Sequence, residues 1–369
     1  MPILTKDIIR REGKQLISER PQGKVRWNAS GGSTGEPIRL LQDRNMMYHS
    51  RATELLFMRW AGHRMGEPHV LIWGVPVASS GERISLHDRI YSRIHNETYL
   101  NCHEIDDKVV QKWIDGINTR RPTLIEAYAD AIYELSRCIN SNGLDVVGPR
   151  AIIASAAVLT PSMRETIKKA FSCPVLNRYG SREVGAVACS CSSNNELHVE
   201  EYTCYIEIVD DEGIPCEVGV EGNILVTLLT NNVMPLIRYR IEDRGAWATG
   251  PCSCGRTTRR LASVNGRQFD FLLTADGRKI HAGPFCTALY SVSSIRRYQY
   301  RQTDKTHITL AVVPAAGYDK EAIIKDMRLP LQRVGMLVPG VTVELTIVDD
   351  IIPSKSGKYR FVLNEVINR

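Results

Sequence analysis

The sequence lacks any long apolar stretch, and this absence argues against a helix that spans a membrane. The longest mostly apolar run covers residues 151–159, and a helix that spans a bilayer needs about 20 such residues. The first twelve residues mix charges with Ile and Leu, without the apolar core of a secretory signal. We therefore expect a cytoplasmic protein that does not associate with membranes.

A concentrated charge of one sign is also missing. The chain has 47 Lys and Arg against 41 Asp and Glu, a net charge of +6 that is spread along its length. Duplex-binding proteins more often carry a basic stripe on one face. We expect no nucleic-acid partner, and the mild excess of positive charge favours a small anionic ligand.

Cysteines are present but mostly isolated. Without a secretory signal they should be reduced thiols, and an isolated cysteine is most often a small buried apolar residue. The isolated ones among the ten are Cys102, Cys138, Cys173, Cys204, Cys216 and Cys286. The exceptions are two Cys-x-Cys pairs, Cys189/Cys191 and Cys252/Cys254, and this spacing is typical of a metal site.

The length and the hydrophobic patterns predict two domains of the α/β class. A chain of 369 residues is too long for one ordinary core. Apolar strand-like runs alternate with helical patterns up to about residue 177, which indicates parallel βαβ units, and alternating strands follow. We predict a large domain over 1–267, with mostly parallel sheets and a small antiparallel β region. A small α+β domain is predicted over 268–369.

A glycine-rich loop, SGGSTGEP at 30–37, is the first candidate site. Glycine lets backbone N–H groups come close to an anion. No Gly-Lys-Ser/Thr follows, so the loop is not a Walker A motif. From these residues alone, a phosphate-binding loop and a solvated turn both remain open.

A second candidate, Tyr179-Gly180-Ser181-Arg182-Glu183, follows a predicted parallel strand. Ligands of open α/β sheets bind at this end of the strands. The tyrosine could stack on a base and the glutamate could hold Mg²⁺ near phosphates. The alternative is an ordinary turn with a solvated glutamate.

A third candidate, PLIRYRIED at 235–243, places two arginines and two acids directly after an apolar segment. A carboxylate at a strand end can accept both hydroxyls of a ribose. The alternative is an ion-pair cluster at the end of a strand.

The order of these motifs resembles the adenylate-forming superfamily of acyl-CoA synthetases, adenylation domains and luciferases. More narrowly, it resembles the phenylacetate–CoA ligase group in its CapK-like branch. Single motifs are weak signals, whereas several in this order are specific. The motifs are SGGSTGEP (30–37), YGSREVG (179–185), ILVTLL (224–229), PLIRYRIEDRG (235–245), CSCGR (252–256), NGR (265–267) and SGKYRF (356–361).

The resemblance implies an AMP-forming ligase that uses ATP and Mg²⁺. It would convert a carboxylic acid, an aromatic one by family default, into an acyl-adenylate with release of pyrophosphate. Transfer to a thiol such as coenzyme A would follow. An amine or a carrier-protein thiol as acceptor, and a nucleotide-binding homologue that has lost catalysis, remain alternatives.

The resemblance also implies roles for individual residues. Glu183 would bind Mg²⁺, and Lys358 in the mobile C-terminal domain would bridge the substrate carboxylate and the α-phosphate. The residues implied to bind the nucleotide are Ser30, Ser33, Thr34, Gly35, Tyr179, Gly180, Ser181, Asp243 and Arg267. Trp73, Tyr128 and Val158 stand in segments that line the acid pocket of relatives.

The branch further implies structural zinc. Three thiolates and one imidazole, from Cys191, His198, Cys252 and Cys254, would complete a closed tetrahedral site. Cys189 competes with Cys191 as the first ligand. Free thiols and a surface histidine are the alternative.

Some positions depart from the family pattern. Only 29 residues precede the glycine loop, so we expect a shortened N-terminal shell. Ala157 stands where relatives have an acid, and Phe269 replaces the usual first acid of the hinge. Because the second half-reaction depends on rotation about this hinge, the change at Phe269 weakens the expectation of that half-reaction.

Overall fold

The protein divides into two compact units, Met1–Asn265 and Gly266–Arg369. The computed structural model describes residues 1–20, 23–29, 38–73, 90, 92–102, 107–265, 271–276, 279–281, 285, 289, 292, 294–315, 317–338, 340–351 and 361–366. Among these residues, no helix has the length and apolar character needed to cross a membrane.

Five parallel strands form one part of the large sheet of the first unit. Its strands are β3 (His69–Trp73), β4 (Glu97–Asn101), β5 (Leu124–Tyr128), β6 (Ala151–Ser155) and β7 (Val175–Ser181). They pair in the order β4-β3-β5-β6-β7. Every residue of β5 and β6 is buried, which explains why these strands read as continuous apolar runs.

Four longer helices accompany the parallel part of the sheet, and residues that favour helix ends mark where they begin or stop. They are α2 (Arg44–Trp60), α3 (Asp107–Arg120), α4 (Ala129–Asn142) and α5 (Pro161–Phe171). Helix α5 begins as predicted, with Pro161 at its start and the Thr160 side chain accepting a hydrogen bond from the Met163 N–H. Helix α4 ends at Gly143, which has a left-handed φ of 60°.

An antiparallel part continues the same sheet. It contains β8 (Gly185–Ser190), β9 (Leu197–Val199), β10 (Cys204–Val209), β11 (Gly222–Leu228), β12 (Tyr239–Trp247) and β13 (Arg260–Asn265). The order from β7 outward is β8-β9-β13-β12-β11-β10. The mixed α/β class predicted from the sequence is confirmed, and the antiparallel part is more extensive than the alternating pattern indicated.

Strand β7 belongs to both the parallel and the antiparallel part of the sheet. Its residues up to Asn177 pair in parallel with β6, and from Arg178 onward they pair antiparallel with β8. The change of pairing partner falls at the start of the Tyr-Gly-Ser-Arg-Glu motif. This motif therefore lies where the sheet changes its topology, a usual place for ligand sites in α/β proteins.

The N-terminal segment adds helix α1 (Lys6–Glu12) and a two-stranded hairpin, β1 (Val25–Ala29) with β2 (Arg39–Asp43). The glycine-rich loop connects these two strands, but residues 30–37 lie outside the described part of the chain.

The second unit is a small α+β fold. A four-stranded sheet has the order β18-β17-β16-β19, with β16 (Ile295–Asp304), β17 (His307–Pro314), β18 (Thr342–Ile347) and β19 (Val362–Asn364). Helix α6 (Lys320–Leu337) buries Ile323, Met327 and Val334 in one core with sheet residues. A short pair, β14 (Phe271–Leu273) and β15 (Lys279–His281), completes the unit.

Candidate active site

Glu183 is held in a tight turn immediately after β7. Its backbone N–H donates to Ser181 Oγ at 3.2 Å. At Gly180, a Cβ would lie only 2.3 Å from the carbonyl oxygen of Gly185, so the turn requires glycine there. Glu183 is 2% exposed, and the described residues supply neither a hydrogen bond nor an ion pair to its carboxylate. A buried acid in such a position is suited to hold a cation.

Tyr179 and Asp243 meet across the sheet. The Tyr179 hydroxyl donates to Asp243 Oδ2 at 2.7 Å. Their strands, β7 and β12, are separated by β8, β9 and β13. Four strand spacings in a flat sheet would amount to about 19 Å, so the sheet must curl strongly to bring these two side chains into contact. Two predicted nucleotide-binding residues are thus neighbours.

Asp243 lies in an irregular part of β12. Between the pairs Leu225↔Arg240 and Asn223↔Arg244, the strand β12 advances four residues while β11 advances two. The additional residues form a bulge, and Glu242 within it has a left-handed φ of 73°. Bulges redirect side chains and are common next to active sites.

Two amide side chains anchor the hairpin that carries the glycine loop. Asn28 Nδ2 and Gln42 Nε2 both donate to the carbonyl oxygen of Arg182, at 3.1 and 3.0 Å. Asn28 Nδ2 also lies 3.0 Å from Gln42 Oε1. The two strands that enter and leave the loop are therefore fixed beside Glu183. Neither residue was predicted from the sequence, because only their position next to the loop marks them.

The predicted acid-pocket residues are partly brought together. The rings of Trp73 and Tyr128 lie 4.3 Å apart, at the ends of the adjacent parallel strands β3 and β5. The guanidinium carbon of Arg178 lies 5.6 Å from the Trp73 ring centre. Val158 follows β6 and is 45% exposed.

A buried ionic cluster lies among the parallel strands. Arg178 pairs with Glu126, and His69 Nε2 lies 3.2 Å from Glu126 Oε2. The imidazole contact is ionic, because no well-directed hydrogen bond forms at Nε2. On its other side, His69 Nδ1 lies 3.5 Å from a Glu97 oxygen.

The cluster shifts the titration of its members. Burial lowers the pKa of His69, but its contacts with Glu126 and Glu97 more than offset this and raise it to about 9. Burial raises the pKa of Glu126, but the charges of Arg178 and His69 overcome this and hold it at about 2. The cluster therefore carries His69⁺, Glu126⁻ and Arg178⁺ at neutral pH.

Four side chains of types that can bind a metal ion converge at the other end of β8. The ligand atoms of Cys191, His198, Cys252 and Cys254 all lie within 4.8 Å of one another. Cys191 Sγ is 3.7 Å from Cys252 Sγ, and Cys254 Sγ is 3.3 Å from His198 Nε2. Two thiolates on a tetrahedral zinc ion would lie about 3.8 Å apart, so the thiol spacing fits such an ion.

The surroundings of the cluster favour its use as a ligand set. His198 Nδ1 lies 3.3 Å from Thr258 Oγ1, which directs Nε2 toward the thiols. Burial raises the pKa of Cys254, but hydrogen bonds from Arg256 and the neighbouring thiols lower it to about 7. The Trp60 ring packs edge-on against His198.

Cys189 does not take part in this group. It is fully buried in an apolar cluster that includes Phe57 and Met58. Burial raises the pKa of its thiol to about 12. Cys191 follows the end of β8 and is the residue that reaches the other three ligands. Between the two alternatives left by the sequence, the geometry favours Cys191.

The remaining predicted site residues lie outside the described part of the chain; they are Ser30, Ser33, Thr34, Gly35, Arg267 and Lys358. Their roles stay predictions.

Comparison with known proteins confirms the resemblance inferred from the motifs. Residues 272–365 match the family described as the CapK C-terminal domain. Protein CapK of Staphylococcus aureus is 26% identical over 99% of this chain and 80% of its own length. A phenylacetate-coenzyme A ligase of Thermus thermophilus is 25% identical over 68% of this chain and 56% of its own length.

The fold is shared with a solved acyl-CoA ligase. A crystal structure of 2-hydroxyisobutyryl-CoA ligase, in the postadenylation state in complex with R3-HIB-AMP, superposes with a TM-score of 0.77. It covers 99% of this chain and 80% of that protein, at 16% identity. At this identity the likeness concerns the fold.

Proposed function

We propose that this protein is an AMP-forming ligase, which activates a carboxylic acid with ATP and passes the acyl group to a thiol. One observation carries the proposal. The curled sheet places Tyr179 against Asp243 and holds the buried carboxylate of Glu183 in the turn that follows β7. The relatives named as ligases, and the shared fold, support the same reaction.

In the proposed site, Asp243 accepts the ribose hydroxyls and Tyr179 packs beside the base. Ser30, Ser33, Thr34 and Gly35 surround the phosphates, and Gly180, Ser181 and Arg267 complete the nucleotide contacts. The clamp of Asn28 and Gln42 supports this arrangement, because it fixes the two strands that flank the loop next to Glu183.

The chemistry requires compensation of negative charge. A carboxylate must attack an α-phosphate that is itself anionic, so the repulsion has to be offset before the bond can form. Mg²⁺ on Glu183 would supply the largest positive charge. Lys358 would contact the substrate carboxylate and the α-phosphate, and so stabilise the charge that develops between them.

We propose an aromatic acid as substrate and coenzyme A as acceptor. The Trp73–Tyr128 pair provides the aromatic surface, and stacked or edge-on rings add attraction beyond the area that they bury. 2-Hydroxyisobutyryl-CoA ligase, which shares this fold, has been solved with coenzyme A. Product analysis with coenzyme A, a carrier protein and an amine separates the possible acceptors.

We also propose that Cys191, His198, Cys252 and Cys254 hold structural zinc. Three sulfur ligands and one nitrogen ligand leave no open position for substrate. The group follows one end of β8 and Glu183 precedes the other end, and the six residues of β8 span about 20 Å at 3.3 Å per residue. Its role would be to hold β9 to the segment between β12 and β13.

The decisive experiment is ATP–pyrophosphate exchange with a panel of aromatic, hydroxylated and aliphatic acids. We expect acid-dependent exchange with at least one aromatic acid. Protein that binds ATP and retains its metal, yet exchanges pyrophosphate with none of the acids, would contradict the proposal and favour a nucleotide-binding homologue without catalysis.

A substitution tests Lys358 in the same assay. Lys358→Ala should abolish exchange and leave ATP affinity within several-fold. Lys355→Ala, in the same polar segment, is the matched control and should retain exchange. Undiminished exchange in Lys358→Ala would contradict its assigned role.

A further inference from the structure

Lys6 is a buried cation whose partner lies far along the chain. Its side chain is 7% exposed, and its ammonium forms an ion pair with Glu242, which is 17% exposed. The two residues are separated by 236 positions. A buried lysine is costly unless it is paired, and this pairing joins helix α1 to the bulge of β12.

The backbone before Lys6 is attached to the same strand. Leu4 N–H donates to the carbonyl oxygen of Arg238 at 3.1 Å, and Arg240 N–H donates to the carbonyl oxygen of Leu4 at 2.9 Å. Thr5 then caps helix α1, and its hydroxyl accepts from the Ile8 N–H. The first turn of the helix is thereby fixed above the residues that lead into the bulge.

Glu242 adopts a backbone conformation that needs support. Its φ of 73° lies in the left-handed region, which is unfavourable for a glutamate. Such conformations persist where surrounding contacts hold them. The next residue, Asp243, is the one directed at Tyr179, so the conformation at Glu242 determines where the Asp243 carboxylate points.

We infer that Lys6 is a positioning residue for the ribose-binding carboxylate of Asp243, and that it acts through Glu242. The ion pair locks the bulge in the conformation that directs Asp243 toward the nucleotide. The inference rests on the proposed nucleotide site. It assigns to α1 a part in ligand selectivity that none of the sequence motifs indicates.

The test measures selectivity for the ribose hydroxyls. Dissociation constants are determined for ATP and for 2′,3′-dideoxyATP, which lacks both hydroxyls. If Asp243 accepts those hydroxyls, the wild-type protein should prefer ATP by about tenfold or more, because hydrogen bonds to a charged group are strong. A general loss of structure would weaken both ligands alike and leave the ratio unchanged.

The decisive variant is Lys6→Met/Glu242→Gln. Removing both charges avoids the folding penalty of a lone buried carboxylate, which Lys6→Met alone would carry. We expect the ATP preference of the double variant to fall to about threefold or less, with a far-ultraviolet spectrum like that of the wild type. Arg10→Met, which breaks the exposed pair with Asp7 on the same helix, is the matched control and should keep the preference.

The variant Asp243→Ala distinguishes a failure of the proposed ribose site from a failure of the role assigned to Lys6. If it leaves the ATP preference intact, the proposed ribose site is wrong. If Asp243→Ala loses the preference while Lys6→Met/Glu242→Gln keeps it, the nucleotide site stands and the role of Lys6 is overturned. Loss of the preference in both variants supports the inference.

Discussion

The Tyr179 hydroxyl donates a 2.7 Å hydrogen bond to Asp243 Oδ2, from one strand to another that lies four positions away in the same sheet. The bond joins the parallel and the antiparallel part of the sheet at the proposed nucleotide site. It would also give Tyr179 a second role besides the proposed stacking on the base, because a phenol that holds Asp243 restricts the directions in which the carboxylate could accept ribose hydroxyls.

Tyr179→Phe should therefore weaken ATP binding by about three- to tenfold, the range of one net hydrogen bond. The aromatic ring remains, so stacking is preserved and only the orientation of Asp243 is lost. Calorimetric titration with ATP measures the effect. Tyr202→Phe, at an 86% exposed position, serves as the control, and equal affinities of Tyr179→Phe and the wild type would contradict this role.

The proposed metal site allows a direct chemical prediction. Purified protein should contain about one zinc ion per chain, and chelation should lower the melting temperature, since binding energy at a structural site contributes to folding. Cys252→Ser should lose the metal, because it removes one of four converging ligands. Elemental analysis and thermal unfolding provide both readouts.

Cys189→Ser is the informative control for the metal site. This residue belongs to the same Cys-x-Cys pair as Cys191 but is buried among apolar side chains. The variant should keep its zinc although its stability falls. Loss of zinc from Cys189→Ser, or a zinc-free wild-type protein prepared without chelators, would contradict the assignment of the four ligands.

The sequence indicated candidate site residues, but not the contacts between them. Motif order indicated Tyr179, Glu183 and Asp243, and βαβ spacing indicated β7, which carries Tyr179 and leads into the turn of Glu183. The meeting of Tyr179 and Asp243 depends on the curl of the sheet, which results from many strand pairings together. No local pattern reports such a curl.

Long-range polar pairs were missed for a related reason. Lys6 and Glu242 each look like an ordinary surface charge in the sequence, and only the folded chain shows that they meet in a buried place. The choice between Cys189 and Cys191 was also beyond the sequence. Residues two apart on a strand share a face, and the choice depends on β8 ending at Ser190.

The ionic cluster of His69 predicts a pH dependence of stability. The pKa of His69 is raised to about 9, so its contribution is fully present below its ordinary pKa of 6.5 and is lost as pH rises through about 9. The pKa of Glu126 is lowered to about 2, so its contribution is present above its ordinary value and is lost only as pH falls toward 2.

His69→Gln should thus lower the melting temperature of the first unit at pH 6–7, by about 2–8 °C, and the difference from wild type should shrink by pH 10. Tryptophan fluorescence follows this unit alone, because Trp27, Trp60, Trp73, Trp113 and Trp247 all precede residue 266. His49→Gln, at an exposed position on α2, is the control. A His69→Gln difference that is constant from pH 6 to 10 would contradict the ionic role.

The clamp of Asn28 and Gln42 predicts a selective loss of affinity for nucleotides that carry β- and γ-phosphates. Asn28→Ala/Gln42→Ala removes both donors to the Arg182 carbonyl and releases the base of the hairpin. ATP should bind about 10- to 50-fold more weakly, at about 1 kcal/mol for each of the two lost hydrogen bonds. AMP should bind almost normally, because it lacks the β- and γ-phosphates that the loop is proposed to hold.

The matched control is Val25→Thr, at an exposed position on the same hairpin strand. It should leave both affinities unchanged. The comparison of ATP with AMP isolates the loop from the rest of the site, since Tyr179 and Asp243 would contact the part that the two nucleotides share. Equal losses for ATP and AMP in the double variant would mean that Asn28 and Gln42 support the whole site, and not the phosphate loop in particular.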